Sequence, residues 1–378
     1  VGAGLSGAAI ARRFAEDGRR VLVIDNRPHI AGNCYDFIEP ISKLLVGKYG
    51  AHLFHTNSER VWKWINRFGL WRRWDHEVLG RVGNQWFPIP VNISTVNQVC
   101  GQNLASETEM ANWLAHNQVL HDPITNAKEM AESRVGEHLY NVIFRNYTFK
   151  QWAKYPEDLA PSVTARIPIR ANFDNRYFAD KYQALPAFGY TRFVEGVLKH
   201  PNIQTQVNTD FFDYRDSHDV DKIIVFTGPI DRYFADSGLP PLEYRSLEFK
   251  TEIHKMKGYY QPRAVVNYPG LEVPYTRIVE YKHFLNQVSD YTVIVKEFSR
   301  SFGEPYYPVP TEQNRKLYTQ YQELAKGEKN VHFIGRLANY KYFNMDEAIL
   351  NALEYYDREF AAAAASDGAA DRAADASC

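Results

Sequence analysis

The sequence predicts an α/β fold: a parallel-sheet domain interrupted by a helical unit and an antiparallel β-sheet unit. Three observations carry that reading. A glycine-rich turn, Gly2-Ala3-Gly4-Leu5-Ser6-Gly7, leads directly into a helical pattern. Three short apolar runs, at 21–24, 223–226 and 331–334, show no polar alternation, as strands covered on both faces of a parallel sheet do. The long segments between these runs carry periodicities of their own and read as insertions.

Taken in order, residues 6–17 form the first helix, with Ile10 and Phe14 one turn apart and Gly18 as its stop. The run Val21-Leu22-Val23-Ile24 is the first strand and ends in Asp25. Residues 76–91 alternate in the manner of antiparallel strands. Residues 95–160 are helical, with apolar spacing clearest over 107–116 and 133–144. Aromatic and alternating runs with prolines at 166–195 and 243–300 predict further antiparallel strands. The run at 223–226 is followed by Thr227-Gly228, and the run at 331–334 by Gly335-Arg336 and a helix with Ile349, Leu350 and Leu353 on one face. The expected domains are therefore 1–75, 215–240 and 328–361 for the discontinuous parallel-sheet domain, 92–165 for the helical domain, and 76–91, 166–214 and 241–327 for the antiparallel one. Residues 362–378, rich in Ala, Asp and Ser with no apolar stripe, are expected to form a disordered tail. A buried strand normally precedes a glycine turn of this kind, so a truncated first strand is expected.

Composition narrows the partners. A formal net charge of −1 over 378 residues argues against nucleic acid or a membrane surface as a partner recruited by bulk charge. Cys34, Cys100 and Cys378 share no close spacing, so they suggest neither a metal site nor a disulfide framework. No signal peptide or long apolar stretch is apparent, and the cytoplasm is the default expectation.

The glycine turn fits G-x-G-x-x-G. Its glycines permit a tight turn, backbone approach to a pyrophosphate and close helix packing. The helix N-terminus that follows the turn offers free N–H groups and a partial positive charge to the phosphates. Asp25 lies 18 residues after Gly7, where a carboxylate accepts from an adenosine ribose. The alternative is a glycine-rich turn without a ligand. The segment from Asn26 to Asn33 contains Gly32, which would let the backbone approach a cofactor; the alternative there is a solvated loop. The split sheet, together with Gly335-Arg336 before a helix, resembles the glutathione-reductase-like FAD fold: an FAD-binding Rossmann domain, here with an inserted helical domain and an antiparallel β-sheet domain.

Further segments resemble the UDP-galactopyranose mutases of bacterial, flavin-dependent type. They are Lys48-Tyr49-Gly50-Ala51-His52-Leu53-Phe54-His55-Thr56, Tyr147-Thr148-Phe149-Lys150-Gln151-Trp152, Arg166-Ile167-Pro168-Ile169-Arg170, Asp174-Asn175-Arg176-Tyr177-Phe178, Pro274-Tyr275-Thr276-Arg277, Glu304-Pro305-Tyr306-Tyr307-Pro308 and Gly335-Arg336-Leu337-Ala338. The resemblance implies that Arg166 and Arg277 clamp a diphosphate, and that Tyr177, Tyr307 and Tyr342 donate to it. It also implies that Tyr147 and Trp152 lie beside a uridine, Asn267 near the galactose, and His52 and His55 at the flavin. The same resemblance places Gly2, Gly4, Leu5, Ser6, Gly7, Asp25, Asn26, Gly32, Asn33, Leu53, Gly228, Gly335, Arg336, Asn344 and Met345 against FAD. Each residue also has a plainer reading: a carboxylate-paired arginine, a half-buried tyrosine, a packed histidine.

Two departures from the family pattern stand out. Ala31 occupies a place more often glycine, and Asn344 one often aspartate. The resemblance implies an isomerase acting on UDP-galactose, pyranose and furanose forms, through a covalent flavin N5–galactose adduct of reduced FAD, with no net redox change. It also implies galactofuranose supply for cell-surface glycans, a homodimer, and a mobile loop over 154–166. Arg166, Arg277 and His55 are the catalytic candidates. The rivals are an FAD-dependent oxidase or dehydrogenase of the same fold, and a non-catalytic nucleotide-sugar-binding flavoprotein.

Overall fold

The computed structural model describes residues 1–218 and 222–361; the alanine-rich segment 362–378 lies outside them. The parallel elements form two pairs. Strand Val21–Ile24 pairs with Ile203–Gln206, and Ile224–Phe226 pairs with Val331–Phe333. Val1 and Gly2 run between the pairs: Gly2 N donates to Ile24 O (2.8 Å), and the Val1 amino group donates to Val225 O (2.6 Å). The helix Leu5–Glu16 follows at once, with Ala8, Ala9, Ile10 and Phe14 buried. They meet Val194 and Val197 from helix Tyr190–Leu198, and Leu353 and Tyr356 from helix Met345–Tyr356, in one core.

Two expectations are corrected here. Residues 182–206, expected with the antiparallel domain, belong to this first unit. Tyr182–Pro186 pairs with Phe54–Thr56 and Trp71–Arg73, helix Tyr190–Leu198 packs on Leu5–Glu16, and Ile203–Gln206 pairs with the first strand. The physical reason is that this helix carries a strong apolar stripe, Phe193-Val194-Val197-Leu198, which the first helix covers. The first strand is also not covered on both faces. Leu22 is 38% exposed, because its partner strand is polar and largely exposed.

The antiparallel unit is a seven-stranded sheet in the order Tyr307–Pro308, Tyr244–Lys255, Tyr291–Arg300, Arg277–Glu280, Val265–Asn267, Val78–Val82, Gln85–Ile89. One internal pair, Val265–Asn267 with Val78–Val82, is parallel. Its longest strands are Tyr244–Lys255 and Tyr291–Arg300, and residues 166–181, expected to hold antiparallel strands, form none. The helical unit packs on this sheet: Ile93, Val96, Met110, Val135 and Leu139 join Phe87, Val265, Val279 and Val293 in a second core. Helix Ala127–Leu139 bends at Gly136 and is followed by a π-helical stretch, Tyr140–Arg145. Among the described residues no helix is long and apolar enough to cross a membrane.

Candidate functional site

Two cavities share a wall. The first, of about 540 Å³, is built by the nucleotide turn. Gly2, Gly4, Leu5 and Ser6 line it, with Asp25, Asn26, Gly32, Asn33, Gly228, Gly335, Arg336, Asn344 and Met345. The glycines are there for space. A Cβ on Gly2 would lie 2.1 Å from Thr227 Oγ1, and Gly32, at φ +55°, brings its loop against Gly4. Gly7 does not line the cavity. A Cβ there would meet Gly2 O at 1.9 Å, so its absence lets the helix start press against the turn. Ala31 adopts φ 71°, a left-handed conformation that favours glycine, and donates from N to Ala3 O at 2.9 Å. Asp25 stands at the end of its strand, yet both its oxygens already accept backbone N–H groups, from Ala3 (2.8 Å) and Arg27 (2.9 Å). It ties the two loops together and keeps one lone pair per oxygen for a ribose. A helix N-terminus with free N–H groups, and a cradle that a single methyl would fill, fit a dinucleotide.

The second cavity, of about 440 Å³, lies between the helical unit and the sheet. Asn33, His52, Tyr306, Arg336, Asn344 and Met345 line both cavities. Leu53, expected at the cofactor, lines only the second. Helix Asn146–Trp152 presents Tyr147, Thr148, Gln151 and Trp152 along one side. Trp152 is also a packing residue, 4% exposed among Ala127, Leu159, Val163 and Val309. Arg277, Asn267 and Glu297 enter from paired sheet strands. The segment 154–166, expected to be a mobile loop, contains a short 3-10 helix, Pro156–Asp158, and an α-helical turn, Ser162–Ala165. It is packed down through Thr164 Oγ1 to Ala127 O (2.8 Å), and it delivers Arg166 into the cavity.

Positive charge converges there. Arg277 Nε lies 2.9 Å from Glu297 Oε2, so the plainer reading of a strand arginine paired with a carboxylate holds for it. Burial alone would lower its pKa; Glu297 and the nearby tyrosines outweigh that and raise it. Burial pushes Glu297 up, with Arg277 opposing. Arg166 has no carboxylate partner among the described residues; it lies 4.7 Å from the Tyr342 ring. Arg336 lies 5.1 Å from the same ring and donates to Phe343 O. Tyr342 stacks on Tyr307 at 5.4 Å. Burial pushes the Tyr342 hydroxyl up, but Arg166 and Arg336 outweigh it and hold its pKa below the ordinary value. Tyr177 is fixed through its N–H to His76 O, at 2.6 Å. Among the described residues Asn267 Oδ1 is buried without a partner, and it is a ready acceptor.

Three histidines line this cavity. His55 Nδ1 lies 3.0 Å from Asp180 Oδ2, and its ring stacks on Phe178 at 3.7 Å. A carboxylate can only accept, so in neutral His55 the lone pair is at Nε2. His52 is half-buried, and desolvation with Arg336 lowers its pKa to about 4. His76 was not legible in the sequence, because a lone histidine ahead of a strand gives no signal. Burial, helped by Arg277, lowers its pKa to about 3. Its Nδ1 lies 3.3 Å from Trp74 Nε1, which can only donate, so the proton of neutral His76 sits at Nε2. His52 Nδ1 faces Gly50 O at 3.2 Å, which can only accept, so neutral His52 also keeps its lone pair at Nε2, and the three histidines comprise two imidazole acceptors and one donor.

Asn344 is held through its backbone. Its N–H donates to Glu347 Oε2 at 2.7 Å at the start of helix Met345–Tyr356. A further cavity, of about 880 Å³, also borders Ala51 and His52; it is lined mainly by apolar groups, with Arg72 and Arg192 among its lining residues.

Comparisons with known proteins agree with this geometry. A family model described as UDP-galactopyranose mutase matches residues 142–342, and one described as an NAD(P)-binding Rossmann-like domain matches 1–68. A Klebsiella pneumoniae protein named "Probable UDP-galactopyranose mutase" is 37% identical over 364 residues, covering 94% of this chain and 93% of that one. An Escherichia coli "dTDP-fucopyranose mutase" is also 37% identical over 364 residues, covering 94% and 96%. A Mycoplasma genitalium UDP-galactopyranose mutase is 32% identical over 378 residues, covering 94% and 92%. Among solved structures, reduced UDP-galactopyranose mutase superposes with a TM-score of 0.74 at 17% identity, covering 94% of this chain and 92% of that one. An oxidoreductase from Methanosarcina mazei gives 0.60 at 10% identity, covering 94% and 98%. Both structural likenesses speak for the fold alone.

Proposed function

The chain belongs to the UDP-galactopyranose mutase family, and on that premise we propose that it interconverts UDP-galactopyranose and UDP-galactofuranose using bound reduced FAD. The observation that carries this reading is the shared wall: the arginine-lined cavity opens onto the dinucleotide cradle through Asn33, His52, Arg336 and Asn344. A sugar whose diphosphate lies at Arg166 and Arg277 would have its anomeric carbon directed toward that wall.

When bound, reduced FAD would supply an electron-rich nucleophile for the anomeric carbon, so the sugar ring can open and reclose on another hydroxyl with no net redox change. The chain's residues do the rest. Arg166 and Arg277 hold the diphosphate and neutralise the charge that grows on departing UDP. Tyr147, Tyr177, Tyr307 and Tyr342 donate hydroxyl hydrogen bonds. His55, accepting at Nε2, and His76, donating at Nε2, orient sugar hydroxyls. Trp152 and the packed 154–166 segment exclude water. In the same reading the enzyme is a cytoplasmic homodimer that supplies galactofuranose for surface glycans.

A second reading is favoured by one observation: the dTDP-fucopyranose mutase is as similar as the first relative, at 37%. The test is direct. The FAD-loaded protein, reduced with dithionite, is given UDP-galactofuranose or dTDP-fucofuranose, and pyranose product is followed by chromatography. Faster conversion of the UDP-sugar supports the proposal; faster conversion of the dTDP-sugar replaces it. An oxidase of the same fold would instead consume oxygen with its substrate, and a mere binding module would turn over neither sugar.

A further inference from the structure

Helix Asn146–Trp152 carries Tyr147 and Trp152 on one wall of the arginine-lined cavity. Strands Val265–Asn267 and Arg277–Glu280 carry Asn267 and Arg277 on the other. The connection between those strands, 268–276, has little internal structure. Tyr268 N donates to Thr276 O (2.9 Å), and among the described residues no backbone N–H from 269 to 275 donates to a backbone carbonyl. A connection containing two prolines and a glycine but no such bonds needs another organiser.

Lys150 provides it. Its Nζ donates to Gly270 O (2.7 Å), Tyr275 O (2.9 Å), Val273 O (3.3 Å) and Tyr268 O. Among the described residues no carboxylate forms a salt bridge with it. The four carbonyls converge on one ammonium much as they would on a bound cation. On its far side the same helix is fixed, since Gln151 O accepts from Ser299 Oγ (2.6 Å) and Arg245 Nε (3.0 Å).

We infer that Lys150 is a positioning residue for the nucleotide-sugar site: its ammonium, caged by carbonyls of the 268–276 connection, sets the spacing between the helix wall and the wall that bears Asn267 and Arg277. Lys150 itself does not line the cavity. It acts through backbone, so a wrong spacing displaces both Arg277 and its paired neighbour Asn267 at once. The role of Lys150 rests on the functional reading above only in naming the ligand; the caging does not.

The experiment therefore has two readouts, on the FAD-loaded parent and on Lys150→Ala. The first is amide hydrogen exchange across 265–280, which needs no ligand. The second is UDP affinity by calorimetry. We expect exchange at Tyr268 and Thr276 to speed up, and UDP to bind about tenfold more weakly, with FAD content unchanged. Ethylammonium, small enough to enter the space vacated by the side chain, restores both in Lys150→Ala but neither in Lys150→Met, where the space is filled. Unchanged exchange, loss of FAD, or a defect that ethylammonium leaves untouched in Lys150→Ala overturns the proposal. A parent that does not bind UDP sinks the functional reading, while the exchange data still decide the role of Lys150.

Discussion

Glu297 Oε2 lies 2.9 Å from Arg277 Nε, at directly paired positions of adjacent antiparallel strands. Glu297 is 3% exposed, so the carboxylate serves as a fixed counter-charge and aims the guanidinium. Removing it leaves a half-buried cation uncompensated. We predict that Glu297→Ala lowers stability by about 3 kcal/mol. UDP supplies replacement negative charge, so it should raise the melting temperature more in this variant than in the parent. An equal rise in both would show that the diphosphate does not reach Arg277.

Arg166 and Arg277 stand apart from the dinucleotide cradle, since neither lines it. Replacing either by Ala should cut turnover by about 10²–10³-fold, the scale of losing a charged donor to a leaving group. FAD content, read from visible absorbance, should stay full. Loss of FAD in either variant would contradict the assignment.

Gly7 shows the opposite separation. A methyl there would collide with Gly2 O, which is backbone and cannot swing away. The helix start would have to move off the turn, and with it the N–H groups offered to a pyrophosphate. Gly7→Ala is expected to purify with little or no flavin. Full flavin occupancy would mean that the cradle tolerates the shift.

His52 and His76 make stability depend on acid. Their folded pKa values are about 4 and about 3, below the ordinary value in the unfolded chain. From about pH 6.5 down to about pH 4 the unfolded chain gains protons at both sites that the folded protein excludes. Stability is therefore full above that window and falls as pH drops through it, by about 1.4 kcal/mol per unit for each histidine. His76→Asn keeps an acceptor for Trp74 and removes one of the two contributions. Urea titrations at pH 6 and pH 5 should show the shallower slope in this variant; an identical slope would mean that His76 is already protonated in the folded state.

The glycine turn, the first helix and the three apolar runs were legible because each is a local pattern. The assignment of 182–206 was not. Short strands such as Tyr182–Pro186 look alike whichever sheet they join, and the partner is set by long-range packing of helix Tyr190–Leu198. Arg166, Arg277 and Tyr342 were picked out by resemblance, and the structure brings them to one cavity. His76 and Lys150 escaped. One is defined by a tautomer that Trp74 imposes, the other by backbone carbonyls far along the chain, and neither leaves a periodic trace.

If a diphosphate clamp presents a sugar to a reduced flavin without net redox change, turnover needs the reduced cofactor and does not consume it. The most direct measurement sets the fraction of flavin reduced, by stepwise dithionite addition under nitrogen, and records the rate of UDP-galactofuranose conversion at each step. The rate should rise in proportion to reduced flavin and vanish at full oxidation, and the flavin spectrum should be unchanged after many turnovers. Conversion by the fully oxidised protein, or oxidation of the flavin in step with product, would contradict this expectation.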